Sequence, residues 1–407
     1  MSRIINLFKD NMSLLSFMAL SYLDKAVIFL MPLAVLSFFD EQLIYIQIEY
    51  IYSVVAVIVP FLDMGLSGYF FYLYRNKSHG KEVIQGLIMT FQYIYFIIFL
   101  LGVLAIAIHY YIFPFEDYII FIVSRSLFIS VFTFLTSYYR ITDNPHKALL
   151  ITLTSNLVSL CLLIFFYFGH LKFELWVIFI GQILFSIMYF VRVLWKSLMG
   201  FKIRLNVLIE TIKGSVVFSW PTIFQVFIIM YVANYGKING IENLEGQDGI
   251  FLSLTQRFSM LITLTHSAIL GFLSKEIFVS GAEKEIKIDL FKKYLFLLVL
   301  SVSGVSVLIG GYYTYSNITY DILNVVLIIG FTFFWSISSY LELYYSREGK
   351  NIIKLYLAIF NGMIFILLLN LLRVGFLEKV TISMGLSSFL TFAFSAVILK
   401  KRKFKLV

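Results

Sequence analysis

Residues 43–66 read LIYIQIEYIYSVVAVIVPFLDMGL, a largely apolar run that ends in Asp63-Met64-Gly65-Leu66. About 20 mostly apolar residues are what an α-helix needs to cross the hydrocarbon core of a bilayer. The apolar residues are continuous rather than alternating with polar ones, which indicates a membrane helix and not a strand of a membrane barrel. The stretch therefore predicts a spanning helix that closes with a turn at Asp63 and Gly65.

The same apolar character extends over the whole chain. Of its 407 residues, 60% are hydrophobic and 14% are charged, and the mean hydropathy is +0.92. A soluble domain is typically about 25% charged, so this chain has too few charges to cover soluble domains. The composition excludes a soluble enzyme, a nucleic-acid-binding protein, a secreted disulfide scaffold and a disordered chain. The single cysteine, Cys161, can form neither a disulfide within the chain nor a cysteine-based metal site, and we predict no metal and no cofactor.

Runs of this kind recur along the chain and set the predicted architecture. We predict an all-α polytopic membrane protein with twelve transmembrane helices in two six-helix halves. The predicted spans are 12–36, 43–62, 83–108, 118–139, 148–168, 174–195, 214–235, 247–273, 291–313, 319–345, 352–372 and 379–399. The predicted domains are an N-terminal six-helix half (1–195), a cytoplasmic basic linker (196–213), a C-terminal six-helix half (214–399) and a basic cytoplasmic tail (400–407). Because each half has an even number of spans, a duplication of one half would be parallel.

The basic residues predict the orientation. With the N-terminus inside, the predicted inner segments hold 25 of the 32 Lys and Arg residues and the outer segments hold 4. Cytoplasmic loops carry such an excess of Lys and Arg in membrane proteins. The net charge of +9 therefore reports topology rather than nucleic-acid binding, and we predict that both termini lie inside.

The predicted loops exclude most enzymatic functions. The longest outer loop, Gly236 to Gly246, has roughly a dozen residues and no cluster of His, Cys or carboxylates, whereas membrane enzymes of polysaccharide synthesis display catalytic groups on a sizeable outer segment. The chain contains no P-loop, HExxH or GxSxG motif. A channel is poorly supported because no filter-like glycine repeat is present. A carrier remains, and we predict that the chain is not an enzyme.

The Asp63-Met64-Gly65-Leu66 turn, the twelve-span layout and the basic linker between halves resemble the MOP superfamily, and within it the Wzx-type O-antigen and capsule repeat-unit flippases. The resemblance covers essentially the whole chain, although those flippases commonly have Phe where Met64 stands. It implies a multi-pass protein of the bacterial inner membrane that moves an undecaprenyl-diphosphate-linked oligosaccharide to the outer leaflet by alternating access. Coupling to Na⁺ or H⁺, and cooperation with a polysaccharide polymerase and chain-length proteins, are also implied. The alternatives are a MATE-type cation-coupled drug exporter and, in a different class, a polysaccharide polymerase.

Charges inside predicted spans are costly, at roughly 2.5–3.5 kcal/mol each near the bilayer centre, so each needs a reason. We expect Lys25, Arg125 and Arg257 to line a cavity between the halves, where they would attract a diphosphate or an acidic sugar. The alternative is that they pair with buried carboxylates and hold the helices together. Asp24 and Glu49 are the carboxylates well inside the predicted spans, and we consider them candidates for ion or proton coupling.

Four further residues are candidates for structural or gating roles. Pro32 and Pro221 fall in the first predicted span of each half, where a proline removes a helical hydrogen bond and favours a kink. Asp63 and Gly65 form the predicted turn at the end of the second span.

Overall fold

The structure is a computed structural model. It describes residues 12–406 apart from 40, 67–68, 71–72, 74–80, 113–117, 142–144, 199–204, 245–246, 280–284, 287, 317–320, 348–349 and 402–404. Parts of the predicted linker and of the predicted basic tail lie outside the described residues.

Twelve helices and one short strand pair form within the described residues. The helices are α1 (Met12–Phe39), α2 (Gln42–Asp63), α3 (Lys81–Ile112), α4 (Tyr118–Ile141), α5 (Pro145–Phe168), α6 (Trp176–Leu198), α7 (Leu205–Asn243), α8 (Gln247–Val279), α9 (Ile288–Tyr315), α10 (Ile322–Arg347), α11 (Asn351–Leu371) and α12 (Phe376–Lys401). Strands β1 (Glu285–Ile286) and β2 (Lys405–Leu406) pair in parallel, with Glu285 opposite Lys405.

The helices confirm a multi-pass, all-helical membrane protein. Ten of the described helices are long and apolar enough to cross a bilayer. Of the other two, α6 has a shorter apolar stretch, Trp176–Arg192, and α8 carries many polar residues, among them Gln256, Arg257 and His266. The count of twelve spans and the inside placement of both termini therefore stay predictions.

Helix α7 extends further at both ends than the predicted seventh span. It includes residues 205–213, which the sequence assigned to the linker, and residues 236–243, which it assigned to the longest outer loop. Those residues contain no proline, and proline is the residue that most strongly breaks a helix. Lys237 consequently lies on a helix, where it is buried.

The chain separates into two compact units, which we call unit 1 (Met1–Trp220) and unit 2 (Pro221–Val407). In unit 1, one apolar core forms between α1, α2, α4, α5 and α6, and a second forms between α3, α4, α6 and the start of α7. In the second core, Phe91 stacks on Phe134, and Phe70 makes edge-to-face contacts with both rings. These two cores hold the unit-1 helices that carry Asp24 and Arg125.

Unit 2 is built around a core that joins α7, α10, α11 and α12. Val232, Phe331, Phe365, Val380 and Met384 are buried there. Helix α8 packs on α9 and α10, and α12 packs on both α10 and α11. Small residues on α12 permit the close packing, since a Cβ atom at Gly385 would lie 2.9 Å from Leu327 Cδ2.

The turn after α2 attaches that helix to the first part of α7, within unit 1. Met64 and Gly65 both have left-handed backbone conformations, with φ of 46° and 65°. Ser215 donates a hydrogen bond to the Met64 carbonyl at 2.7 Å, and Ser219 donates to the Gly65 carbonyl at 3.3 Å. Glycine is the residue that tolerates this conformation without cost.

Candidate functional site

A chain of hydrogen bonds links four buried side chains of unit 1. Arg125 Nη1 donates to Gln182 Oε1 at 3.0 Å. Gln182 Nε2 in turn donates to Asn156 Oδ1 at 3.3 Å, and Asn156 Nδ2 donates to Asp24 Oδ1 at 2.9 Å. We call these four residues, which come from α4, α6, α5 and α1, the polar chain.

All three hydrogen bonds of the polar chain run in one direction, from the guanidinium of Arg125 to the carboxylate of Asp24. Hydrogen bonds aligned in this way polarise one another, and the effect is strong at low dielectric. The cation therefore supports the negative charge of Asp24 through the two amides. A change in the charge of Asp24 would in the same way be felt at Arg125.

Arg125 is also held by an aromatic ring. Its Cζ lies 3.6 Å from the ring centroid of Tyr52 on α2, and its side chain is 7% exposed. A guanidinium stacked on an aromatic face gains a cation–π attraction that is larger where water is excluded. Glu49 lies one turn before Tyr52 on α2 and is 1% exposed, whereas Tyr52 is partly buried.

Asp24 combines complete burial with a neighbouring cation. Its second oxygen, Oδ2, lies 3.8 Å from Lys25 Nζ. The Lys25 side chain is 41% exposed while that of Asp24 is 1% exposed, so the lysine reaches out of the helix packing and the carboxylate does not. Successive helical residues point about 100° apart, which explains why the two differ so strongly.

The polar chain can hold a proton or, after rearrangement, a monovalent cation. Asp24 is a buried carboxylate, the kind of group that can bind and release a proton. A Na⁺ ion would additionally need carbonyl or amide oxygens turned toward it, since hard cations prefer oxygen ligands. Among the described residues no group of three His, Cys, Asp or Glu side chains could hold a metal ion.

The predicted cation of unit 2 is Arg257. Arg257 on α8 is 3% exposed and lies beside the buried Gln256. Lys237 on α7, which the sequence placed in an outer loop, is 7% exposed. Each unit thus buries cations inside its helices, and the structure brings Lys25, Arg125 and Asp24 together only within unit 1.

The residues predicted to have structural or gating roles lie on helices or in the turn after α2. Pro32 lies within α1 and Pro221 within α7, where it is the first residue of unit 2. Asp63 ends α2, and its Oδ1 accepts a hydrogen bond from the Tyr95 hydroxyl at 2.5 Å. Gly65 supplies the left-handed turn that follows.

Sequence reasoning missed Tyr52, Asn156 and Gln182 as members of the site. All three are uncharged, so a search for charges within spans passes over them. Asn156 and Gln182 are amides in otherwise apolar runs, and a buried amide needs hydrogen-bond partners. That need was the available signal, but it does not say which partner on which helix would meet it.

Comparison with solved structures places the fold. The chain resembles an inward-facing multidrug resistance MATE family transporter of the MOP superfamily, with a TM-score of 0.53 and 10% identity over 94% of each chain. It also resembles the lipid II flippase MurJ in an inward closed conformation, with a TM-score of 0.58 and 17% identity over 95% of this chain and 87% of the other. No protein-family model and no curated protein sequence matches the chain. These likenesses show that the chain shares the fold of these two transporters, whereas the predicted resemblance to the Wzx-type flippases stays a prediction.

Proposed function

We propose that the chain is a flippase that moves an undecaprenyl-diphosphate-linked oligosaccharide, such as an O-antigen or capsule repeat unit, across the bacterial inner membrane by alternating access. The MOP transporter fold supports a carrier. The observation that favours an anionic lipid-linked cargo is the burial of Arg125, Arg257 and Lys237 within the helices. Cationic side chains of this kind form charge-assisted hydrogen bonds with a diphosphate group.

The polar chain is the proposed coupling site. Asp24 changes charge when it binds H⁺ or Na⁺, and the hydrogen bonds through Asn156 and Gln182 pass that change to Arg125. Arg125 would then hold an anionic group in one charge state of Asp24 more firmly than in the other. Such a difference in affinity between two states is what any coupling requires.

A drug exporter is the second candidate, since one of the similar structures is a multidrug resistance transporter. Cationic drugs would be attracted by buried carboxylates and repelled by buried cations. The described interior offers both, because Asp24 and Glu49 are buried together with Arg125 and Arg257. In unit 1 the hydrogen bonds of the polar chain connect Arg125 to Asp24.

Complementation tests the proposal. In cells that lack their own repeat-unit flippase but retain the matching sugar pathway, the protein should restore surface polysaccharide. Arg125→Ala and Arg257→Ala should each reduce that polymer without a matching loss of membrane protein, and Arg257→Lys should restore part of it because Lys lacks the planar fork of Arg. Drug resistance without any surface polymer in the same cells would instead establish the exporter.

A further inference from the structure

A small pocket within unit 2 is lined by both polar and apolar side chains. Its cavity volume is about 20 Å³, and four helices contribute to it. Trp335, Ser338 and Glu342 line it from α10, Asn361 lines it from α11, and Thr391 lines it from α12. Pockets for drug-sized ligands have roughly 300–1,000 Å³, so this volume suits water and small ions better than a cargo molecule.

Glu342 is the ionisable group of the pocket, and neutral and basic groups surround it. Gln225 on α7 donates a hydrogen bond from Nε2 to Glu342 Oε2 at 2.6 Å. Lys354, in the first turn of α11, interacts with it electrostatically. Glu342 lies near the end of the predicted span 319–345, and Lys354 lies near the start of the predicted span 352–372.

A second group in the pocket lacks a partner. The Ser338 hydroxyl is buried and makes no hydrogen bond to any described residue, and the side chain is only 6% exposed. Ser338 and Glu342 are four residues apart, so they share one face of α10. A buried hydroxyl without a partner costs about 1–3 kcal/mol, and a water molecule in the pocket would remove that cost.

The charge of Lys354 favours the exchange of a proton over that of a metal cation at Glu342. A metal cation bound at Glu342 would be repelled by the charge of Lys354, and the repulsion is stronger in a medium of low dielectric. A proton meets no such obstacle, because it neutralises the carboxylate and leaves a single positive charge on the lysine. The pocket hydroxyls can orient the water that delivers the proton.

Other titratable groups near the pocket lie on α8, α9 and α10. His266 on α8 packs its ring against Trp335, with centroids 5.7 Å apart. Its Nδ1 lies 2.8 Å from the hydroxyl of Tyr294 on α9, and Tyr294 stacks on Tyr340 of α10 with centroids 4.4 Å apart. Any measurement at Trp335 must therefore separate His266 from Glu342.

We infer that Glu342, with Gln225, Lys354 and the Ser338 hydroxyl, forms a second proton-exchange site, located in unit 2. The carboxylate takes a proton from water in the pocket onto Oε1, since Oε2 already accepts the hydrogen bond of Gln225, and it returns the proton to water when it ionises again. This inference rests on the proposed carrier function for its biological use but not on the identity of the cargo.

Trp335 provides a direct readout, because it lines the same pocket. The chain has four tryptophans, and changing Trp176, Trp195 and Trp220 to Phe leaves Trp335 as the reporter. The purified single-tryptophan protein should show a transition in Trp335 fluorescence as the pH is varied. The transition should disappear in Glu342→Gln, persist in the control Asp24→Asn, and be unaffected by NaCl at constant pH.

Three results would overturn the inference. A transition that survives Glu342→Gln but disappears in His266→Gln would assign it to the histidine. A response to Na⁺ that is lost in Glu342→Gln would make the pocket a metal-ion site. If Glu342→Gln does not accumulate, Gln225→Met is the second variant. It removes the hydrogen bond to Glu342 at similar volume and should displace the pH midpoint of the Trp335 transition. An unchanged midpoint in that variant would also contradict the inference. Because no cargo is present, a failure here is distinct from a failure of the proposed flippase activity.

Discussion

Asp24 is a carboxylate with 0% exposure near the middle of helix α1. Asp24→Asn has almost the same shape and retains an oxygen that can accept from Asn156, so we expect normal protein abundance. The loss of the ionisable group should lower transport about tenfold or more, which corresponds to 1.4 kcal/mol or more. Surface polymer and membrane protein should be measured in the same cells, with Glu49→Gln and the double variant alongside. Full transport by all three would remove both carboxylates from the mechanism.

Tyr52 offers a test of how Arg125 is held. Tyr52→Leu removes the aromatic face beneath the guanidinium and should lower the stability of the purified protein by about 0.5–2 kcal/mol. Tyr52→Phe retains the face and serves as the matched control. Thermal unfolding in detergent measures the difference, and equal stability of the two variants would show that the stacking contributes little.

The turn after α2 depends on a glycine at position 65. A Cβ at Gly65 would collide with the Ser219 side chain, and the left-handed φ is itself costly for other residues. Gly65→Ala should therefore destabilise the protein by about 1–3 kcal/mol. Gly86 is the control, because it lies inside α3 with no atom within 4 Å of its Cβ position. Gly86→Ala should be neutral or stabilising by about 0.5–1 kcal/mol; similar losses in both variants would contradict the turn geometry.

The sequence predicted where the helices lie but not which side chains contact one another. Continuous apolar runs predicted each of α1 to α12, because a span must be long and apolar to be stable in a bilayer. The ends of α7 were misplaced, since its terminal turns are polar enough to resemble loops while still helical. Asp24 and Arg125 were identified from their charge alone. Their connection through Asn156 and Gln182 depends on which helix faces which, and hydropathy does not contain that information.

The helix packing of unit 1 recurs in unit 2, since each neighbour of α4 corresponds to a neighbour of α10 six helices later in the chain. In unit 1, α4 packs against α2, α3, α5 and α6, and in unit 2, α10 packs against α8, α9, α11 and α12. This correspondence agrees with a parallel duplication, in which each half begins on the same side of the membrane. The two polar sites do not correspond, however, because the carboxylate of unit 1 lies on α1 and that of the unit-2 pocket lies on α10.

The orientation of the molecule is open to direct measurement. The Lys and Arg distribution predicts that residue 405 and the 196–213 segment lie inside. Because α7 continues to Asn243, a reporter for the predicted outer loop belongs at 245–246 and not at 236. Fusions active only on the outer side should be silent at 405 and active at 245. An outer C-terminus would contradict the predicted count of twelve spans.

Flipping of a purified lipid-linked oligosaccharide in proteoliposomes tests the central claim most directly. The labelled undecaprenyl-diphosphate oligosaccharide starts in one leaflet, and an enzyme confined to the other side reports its arrival. We predict protein-dependent translocation that responds to an imposed Na⁺ or H⁺ gradient and is reduced about tenfold or more by Arg125→Ala, since a charge-assisted contact is worth about 1.5–3 kcal/mol. Translocation no faster than in empty liposomes, together with gradient-driven transport of a cationic drug by the same preparation, would contradict the flippase account.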